Sequence, residues 1–348
     1  MVRLAVAVLF LASVVAAAVV DRRDAAPRVA AATSTTTTTT TAPSTSPTTA
    51  VTEARTAPPT TTAAPTTRAT TAAPSSSPGG DAKVLVRRGV VLPVKGREGA
   101  GYRVTTPCGR SVVVDGGTPV TGATVVLDPG HGGSEPGAVG PNGLSEKGIN
   151  LAVVDHARDA LEAAGVRTVR TRTDDHRVTL ATRAEIVQAL EPRAFVSVHH
   201  NAEPDGPRDG PGTETYYQVA SPESKRLAGL IYEEVVRALS AYPGPWVADT
   251  DAGAKYRRNT SGDDYYGILR RTQGVPSVLA ELAFVSNPAE AELLTRPDVQ
   301  KVEGQAVARG ILRFLTGKDP GSGFVEPYPR TSPAGSGGGT SNCVDPPL

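Results

Sequence analysis

From Thr33 to Pro78 the chain runs for 46 residues in which all but four (Val51, Glu53, Arg55 and Arg68) are Thr, Ala, Pro or Ser. No other stretch limits folding as much. It holds no aromatic ring and only one branched aliphatic side chain, Val51, whereas fixing each residue costs roughly 1–2 kcal/mol of conformational entropy. A segment of this kind cannot build a core, and its prolines bias it towards an extended tether. It serves as a plain spacer or as one glycosylated on threonine. We therefore read 21–82 as a disordered Thr/Ala/Pro/Ser-rich tether. The tether also dilutes the aromatic content of the whole chain, 5 Phe, 9 Tyr and 1 Trp in 348 residues.

Ahead of the tether, Arg3 is followed by an apolar run from Leu4 to Val20, broken only by Ser13, with the small residues Ala16-Ala17-Ala18 near its end. Residues 1–20 fit a cleaved signal peptide, or an uncleaved signal anchor at the short limit for a membrane span. Both readings export the rest of the chain, and the anchor would be its only membrane contact. A net charge of +1 offers no basic field for nucleic acid. Two cysteines exclude a disulfide-dense scaffold and a four-cysteine zinc site but leave one disulfide open. Cys108 and Cys343 could pair in an oxidising compartment and pin the tail back.

Residues 83–120 read as a small β-rich module, with Val84-Leu85-Val86, Val90-Val91-Leu92 and Ser111-Val112-Val113-Val114 set between Gly and Pro breakers. Residues 123–316 change to an α/β pattern. Strands are predicted at Thr124–Leu127, Val166–Arg170, Ala194–Val198, Thr213–Tyr217 and Ser277–Leu282. Between them Ile149, Val153, Ala157, Ala160 and Ala164 share a helix face that Gly165 ends, and Leu180, Ala184, Val187 and Leu190 share another. Further helices are predicted at Pro222–Leu239, Pro288–Leu294 and Val299–Leu315. Residues 241–266 show no periodicity and read as a long loop, where Trp246 and the tyrosines would stack on sugar rings or simply pack the loop. Residues 317–348 read as a flexible Gly/Ser/Pro-rich tail.

Strand ends are where α/β sheets build sites, and histidines stand at two of them. His131 follows the first strand within Asp128-Pro129-Gly130-His131-Gly132-Gly133; His199 and His200 close the strand that starts at Ala194. Glu146 falls in the first turn of a helix that Ser145 would cap, where it could merely complement the helix dipole. If the loop 132–143 folds back, Glu146 instead meets His131. Two imidazoles and one carboxylate hold zinc with a coordination position left for water, the pattern of a catalytic site. Glu281 interrupts the apolar run Val278-Leu279-Ala280-Glu281-Leu282, where a carboxylate is costly unless functional or paired with Arg270 or Arg271. Burial there would raise its pKa and suit it to proton transfer.

Together these residues resemble the zinc-dependent N-acetylmuramoyl-L-alanine amidases of the amidase type 3 family. Its motifs occur in order: D-P-G-H-G-G at 128–133, E-K at Glu146-Lys147, S-x-H-x-N-A at 197–202, and V-L-x-E-x-x-F-x-S-N at 278–287. The resemblance spans 123–315 and includes the lesser pairs Leu180/Arg183 and Leu269/Arg270. It implies a single mixed sheet of about six strands with helices on both faces, placed after the small β-rich segment and the disordered tether. It also implies one Zn2+ on His131, Glu146 and His199, Glu281 as the catalytic acid–base, and peptidoglycan as substrate. The scissile bond would be the amide between N-acetylmuramic acid and L-alanine, cut by a monomer in the cell wall or a periplasm-like space, with any activating protein partner left open.

The chain departs from the pattern after the metal-binding histidine, where the family usually has a small residue and this sequence has His200. Successive strand residues face opposite ways, so the S-x-H register selects His199, and His200 with Asn201 becomes a candidate substrate contact or a support. Ala280 and Leu282-Ala283 also replace the more usual Val and Thr-Gly around Glu281. His156 and His176 match no motif and read as solvent-side. Two competing functions remain on sequence grounds: a zinc peptidase acting within the stem peptide, and a non-catalytic cell-wall-binding module.

Overall fold

The computed structural model describes residues 81–203, 205–327 and 338–348. The readings of 1–20 and of the tether up to residue 80 lie outside the described residues. The first described unit is a five-stranded antiparallel sheet built from β1 (Val84–Arg87), β2 (Val90–Glu98), β3 (Gly101–Thr105), β4 (Ser111–Val114) and β5 (Thr118–Val120), in the order β4-β3-β2-β1-β5. Arg88 and Gly89, both at positive φ, close the β1–β2 hairpin with the two-residue loop that matches strand twist. Leu85, Val90, Leu92, Val104 and Val114 fill one face. Val84 and Val91 point the other way, into a cluster shared with the larger sheet.

That larger sheet has six strands in the order β12-β10-β13-β8-β6-β7. They are β6 (Val125–Pro129), β7 (Thr168–Arg170), β8 (Ala194–Asn201), β10 (Glu214–Tyr217), β12 (Gly253–Lys255) and β13 (Ser277–Phe284). β7, β6, β8 and β13 run parallel; β10 runs against β13 and carries β12 parallel to itself, so the sheet is mixed. A short ribbon joins β9 (Gly206–Arg208) to β11 (Trp246–Ala248).

Alternation along β6 distributes the helices. Val125 and Leu127 face a core shared with α1 (Glu146–Ala163), α3 (Pro222–Leu239), α5 (Pro288–Leu294) and α6 (Pro297–Thr316). Val126 faces the opposite core, with α2 (Leu180–Leu190), α4 (Gly267–Arg271) and the small sheet. Helices therefore cover both faces, as the resemblance implies. Local signals set their ends. Thr179, Ser221 and Asn287 accept the backbone N–H three residues on, and Pro222 and Pro288 stand in the first turns, where no partner for their nitrogen is needed. Ser145 occupies the N-cap position of α1, but its hydroxyl makes no capping bond and is buried without a partner.

The fold departs from the sequence reading within 241–266 and in the tail. Residues 241–266 are not one loop: β11 and β12 lie within them, each three residues long and too short for a periodic signal. Trp246 is 3% exposed and donates its ring N–H to the Tyr242 carbonyl, so it packs the fold and offers no sugar platform. The tail is tied down over both of its described stretches. Ala254 exchanges backbone hydrogen bonds with Gly323 and Val325, and Cys343 is disulfide-bonded to Cys108.

Candidate active site

Because β6, β8 and β13 are parallel and adjacent, their carboxyl ends open on one edge of the sheet. The chain leaves β6 through Gly130 and turns sharply at His131, a non-glycine residue held at φ 60°. Two buried arginines clamp this turn. Arg183 donates to the carbonyls of Pro129 and His131 at 2.8 and 2.6 Å, and Arg172 to those of Pro129 and Gly130 at 3.0 and 2.9 Å. Asp128 anchors Arg183 and accepts from Thr171 and, at 2.6 Å, from Ser197. Burial alone would raise the Asp128 pKa, but the Arg183 charge and these hydrogen bonds carry it below the usual carboxylate value.

The loop 132–143 does fold back, through hydrogen bonds from Glu146 N to Ala138 O and from Lys147 N to Pro136 O. This seats Glu146, 4% exposed, between two imidazoles: His131 Nε2 lies 3.1 Å from one carboxylate oxygen and His199 Nδ1 3.0 Å from the other. Three more donors fix the carboxylate, namely Ala138 N–H at 2.8 Å and, at 3.2 Å each, the Asn150 amide and His200 N–H. Glycine permits this closeness at two points. A Cβ on Gly130 would lie 2.2 Å from the His199 ring, and one on Gly137 would strike the Glu146 carboxylate and, at 2.7 Å, the His131 ring.

His131, Glu146 and His199 offer one ligand atom each, all within 4.8 Å of one another. Donors about 2.1 Å from a tetrahedral zinc sit roughly 3.4 Å apart, close to the two His–Glu146 spacings of 3.1 and 3.0 Å. The pKa directions of His199 and Glu146 also suit a metal, which needs neutral imidazole and ionised carboxylate. Burial lowers the His199 pKa. For Glu146, burial acts upward, but hydrogen bonds from His131 and His199 outweigh it and hold the carboxyl well below its ordinary value. This residue set therefore fits zinc.

Glu281 is the cross-strand partner of His199 on β8 and of Glu214 on β10. Its half-buried carboxylate takes part in no hydrogen bond or ion pair among the described residues. Arg270 and Arg271, its alternative partners on sequence grounds, instead donate to backbone carbonyls at Asp264, Tyr265 and Gly267. Burial, reinforced by the Glu146 and Glu214 charges, pushes its pKa well up; a cation among these carboxylates would pull it back. A cleft of about 630 Å³ opens over His131 and His199, lined as well by Leu180, Gly338, Arg257, Tyr265 and Tyr266.

His200 does not reach this cleft. It is 1% exposed and faces away from the site, so the substrate-contact reading is corrected to that of a support. Asn201 spends its amide on Glu214 at 2.8 Å. His176, read as solvent-side, is buried, with its pKa lowered to about 4; His156 is half-buried on α1. Sequence reasoning overlooked Glu214 and Lys255, a buried ion pair at 2.8 Å that Asp251 joins at 2.7 Å from the lysine. Glu214 carries a weaker form of the Glu281 signal, a carboxylate inside a predicted strand but between two threonines. Lys255 carries none, since its strand was read as loop.

A sequence model of the N-acetylmuramoyl-L-alanine amidases matches residues 125–313. The chain is 38% identical over 207 residues to the uncharacterized protein YqiI of Bacillus subtilis, a match covering 59% of this chain and 88% of that one. It is 31% identical over 218 residues to the germination-specific N-acetylmuramoyl-L-alanine amidase of the same organism, covering 58% and 84%. Among solved structures, Cwp6 from Clostridium difficile aligns with a TM-score of 0.50 at 30% identity, over 56% of this chain and 30% of that one. The chain belongs to the N-acetylmuramoyl-L-alanine amidase family.

Proposed function

We propose that the chain hydrolyses the amide between the lactyl group of N-acetylmuramic acid and L-alanine in peptidoglycan, with His131, Glu146 and His199 holding zinc and Glu281 moving the proton. The observation that carries this reading is the meeting of two imidazoles and a buried carboxylate at one sheet edge, with an uncommitted glutamate on the adjoining strand. Zinc held there supplies a Lewis acid that polarises the scissile carbonyl and brings the pKa of water from ~16 towards ~7. Glu281 takes the proton as water adds to the carbonyl carbon, then delivers it to the departing nitrogen. The C–N bond breaks, and the products are a lactyl carboxylate and a stem peptide with a free L-alanine amine. The Arg172 and Arg183 clamps hold His131 in its turn, and the cleft walls position the chain being cut. A disulfide fits an oxidising compartment, so we place the enzyme outside the cytoplasm, on an exported tether.

Mass spectrometry of muropeptides released by the zinc-loaded chain tests this. Intact stem peptides beginning with L-alanine are expected. Glu281→Gln should keep its zinc and lose about 10²–10⁴-fold in rate. Products cut inside the stem would mean a peptidase, and binding without cleavage a wall-binding module. Either overturns the proposal, as does a fully active Glu281→Gln.

A further inference from the structure

Behind the metal-facing carboxylate lies a chain of buried polar groups that the reaction itself does not use. Asn150, one turn along α1 from Glu146, donates its side-chain amide to the Glu146 carboxylate at 3.2 Å and to the Gly130 carbonyl at 3.3 Å. Its side-chain oxygen meets His200 Nδ1 at 2.8 Å. The other face of the His200 ring system, Nε2, lies 3.3 and 3.4 Å from the two carboxylate oxygens of Glu303 on α6. Asn150 and Glu303 are fully buried, and His200 nearly so.

The chemistry of the groups fixes the direction of these bonds. Both neighbours of the Asn150 NH2, a carboxylate and a carbonyl, are acceptors, so the amide cannot be flipped without setting oxygen against oxygen. Its oxygen therefore accepts, and His200 Nδ1 must carry the proton that it receives. On the far side, Nε2 and the Glu303 carboxylate must share a further proton, since two bare acceptors would repel, and that bond keeps the ring oriented.

We propose that His200 is a positioning residue: braced by Glu303, it holds the Asn150 amide, and through it sets the Glu146 carboxylate in the orientation that receives the metal. The inference rests on the reading of His131, Glu146 and His199 as the zinc site. Groups that orient a ligand from behind are worth about 10–100-fold in metal affinity, and the effect here is expected in that range.

Two variants that share one change isolate the contact. His200→Ala/Glu303→Gln removes the donor to Asn150, while His200→Asn/Glu303→Gln restores an N–H at the Nδ1 position. Glu303→Gln in both avoids stranding a buried charge. Zinc dissociation constants from chelator competition should rise about 10–100-fold in the alanine pair and stay near wild type in the asparagine pair. If the alanine pair binds zinc like wild type, the network is merely structural and the proposal falls. A wild-type chain that takes up no zinc overturns the metal reading, and this one with it. A 15N spectrum of the wild-type imidazoles gives a second way to overturn the proposal, one that does not need the variants to fold: His200 Nδ1 should be protonated with and without zinc, and an unprotonated Nδ1 overturns it.

Discussion

At the scale of single residues, burial sets the charge state of groups around the site, and His176 makes the consequence measurable. It lies beneath the 132–133 turn with Nε2 buried and unpartnered. Burial first, then the nearby Arg172 and Arg183 charges, lowers its pKa to about 4, whereas an unfolded chain binds that proton at about 6.5. Between these values the unfolded state holds the extra proton, so stability rises with pH across the window, by at most about 1.4 kcal/mol per unit. Above about 6.5 neither state is protonated, and below about 4 both are, so the contribution is constant outside it. Urea unfolding of the zinc-free chain at pH 4.5 and 7 should therefore show a larger acid loss for wild type than for His176→Asn. Equal losses would mean that His176 titrates normally. Nothing in the local sequence, Asp174-Asp175-His176-Arg177, betrays this burial, because the Gly132-Gly133 turn packed against His176 comes from more than forty residues earlier in the chain.

At the scale of elements, α6 crosses α1 and α3 through glycines. A Cβ on Gly304 would strike the Val153 carbonyl of α1 and lie 2.6 Å from the His156 Cβ. These are backbone-borne atoms that move only if α1 moves, and α1 carries Glu146 in its first turn. Gly304→Val gains less than about 0.5 kcal/mol of helix propensity but overpacks the crossing by about 1–3 kcal/mol, so it should destabilise. Gly148→Ala, at an exposed α1 position with nothing near its Cβ, should instead gain up to about 1 kcal/mol. Denaturant midpoints of the two variants should move in opposite directions. α1 was legible in the sequence from its 3.6-residue period, while α3 and α5 add an N-cap and a proline, Ser221-Pro222 and Asn287-Pro288. Five strands were legible as apolar runs, and His131 and His199 as strand-end residues. What stayed hidden depends on tertiary neighbours: β12, an edge strand of three residues, and the Asn150–His200–Glu303 chain, whose members are spread from α1 to α6.

At the scale of the molecule, the small sheet and the C-terminal tail are joined across the larger domain. Cys108 follows β3, and its bond to Cys343 spans 235 residues of sequence. The tail so held runs along the rim of the cleft. Arg177 donates to the Gly339 and Ser341 carbonyls, Ser134 Oγ donates to the Asn342 carbonyl at 2.9 Å, and Gly338 O accepts from Leu180 N at the start of α2. Gly338 itself walls the cleft. Asp345 adds a hydrogen bond from Cys108 N–H at 2.8 Å and an ion pair with Arg110 at 3.4 Å. Scattered polar contacts of this kind hold a segment only weakly against its own entropy, so the rim is expected to depend on the covalent link. Replacing both cysteines by serine, which leaves no thiol to compete for zinc, separates two effects. Freeing a ring this long favours the unfolded chain by up to about 5 kcal/mol, so the melting temperature should fall. Hydrogen exchange should in addition lose protection at 338–348 and at the first turn of α2 well below the melting transition, while β6, β8 and β13 remain protected. Retained protection at 338–348 would mean that the polar contacts alone hold the rim; loss spreading into β8 would mean that the tail supports the core as well as the cleft.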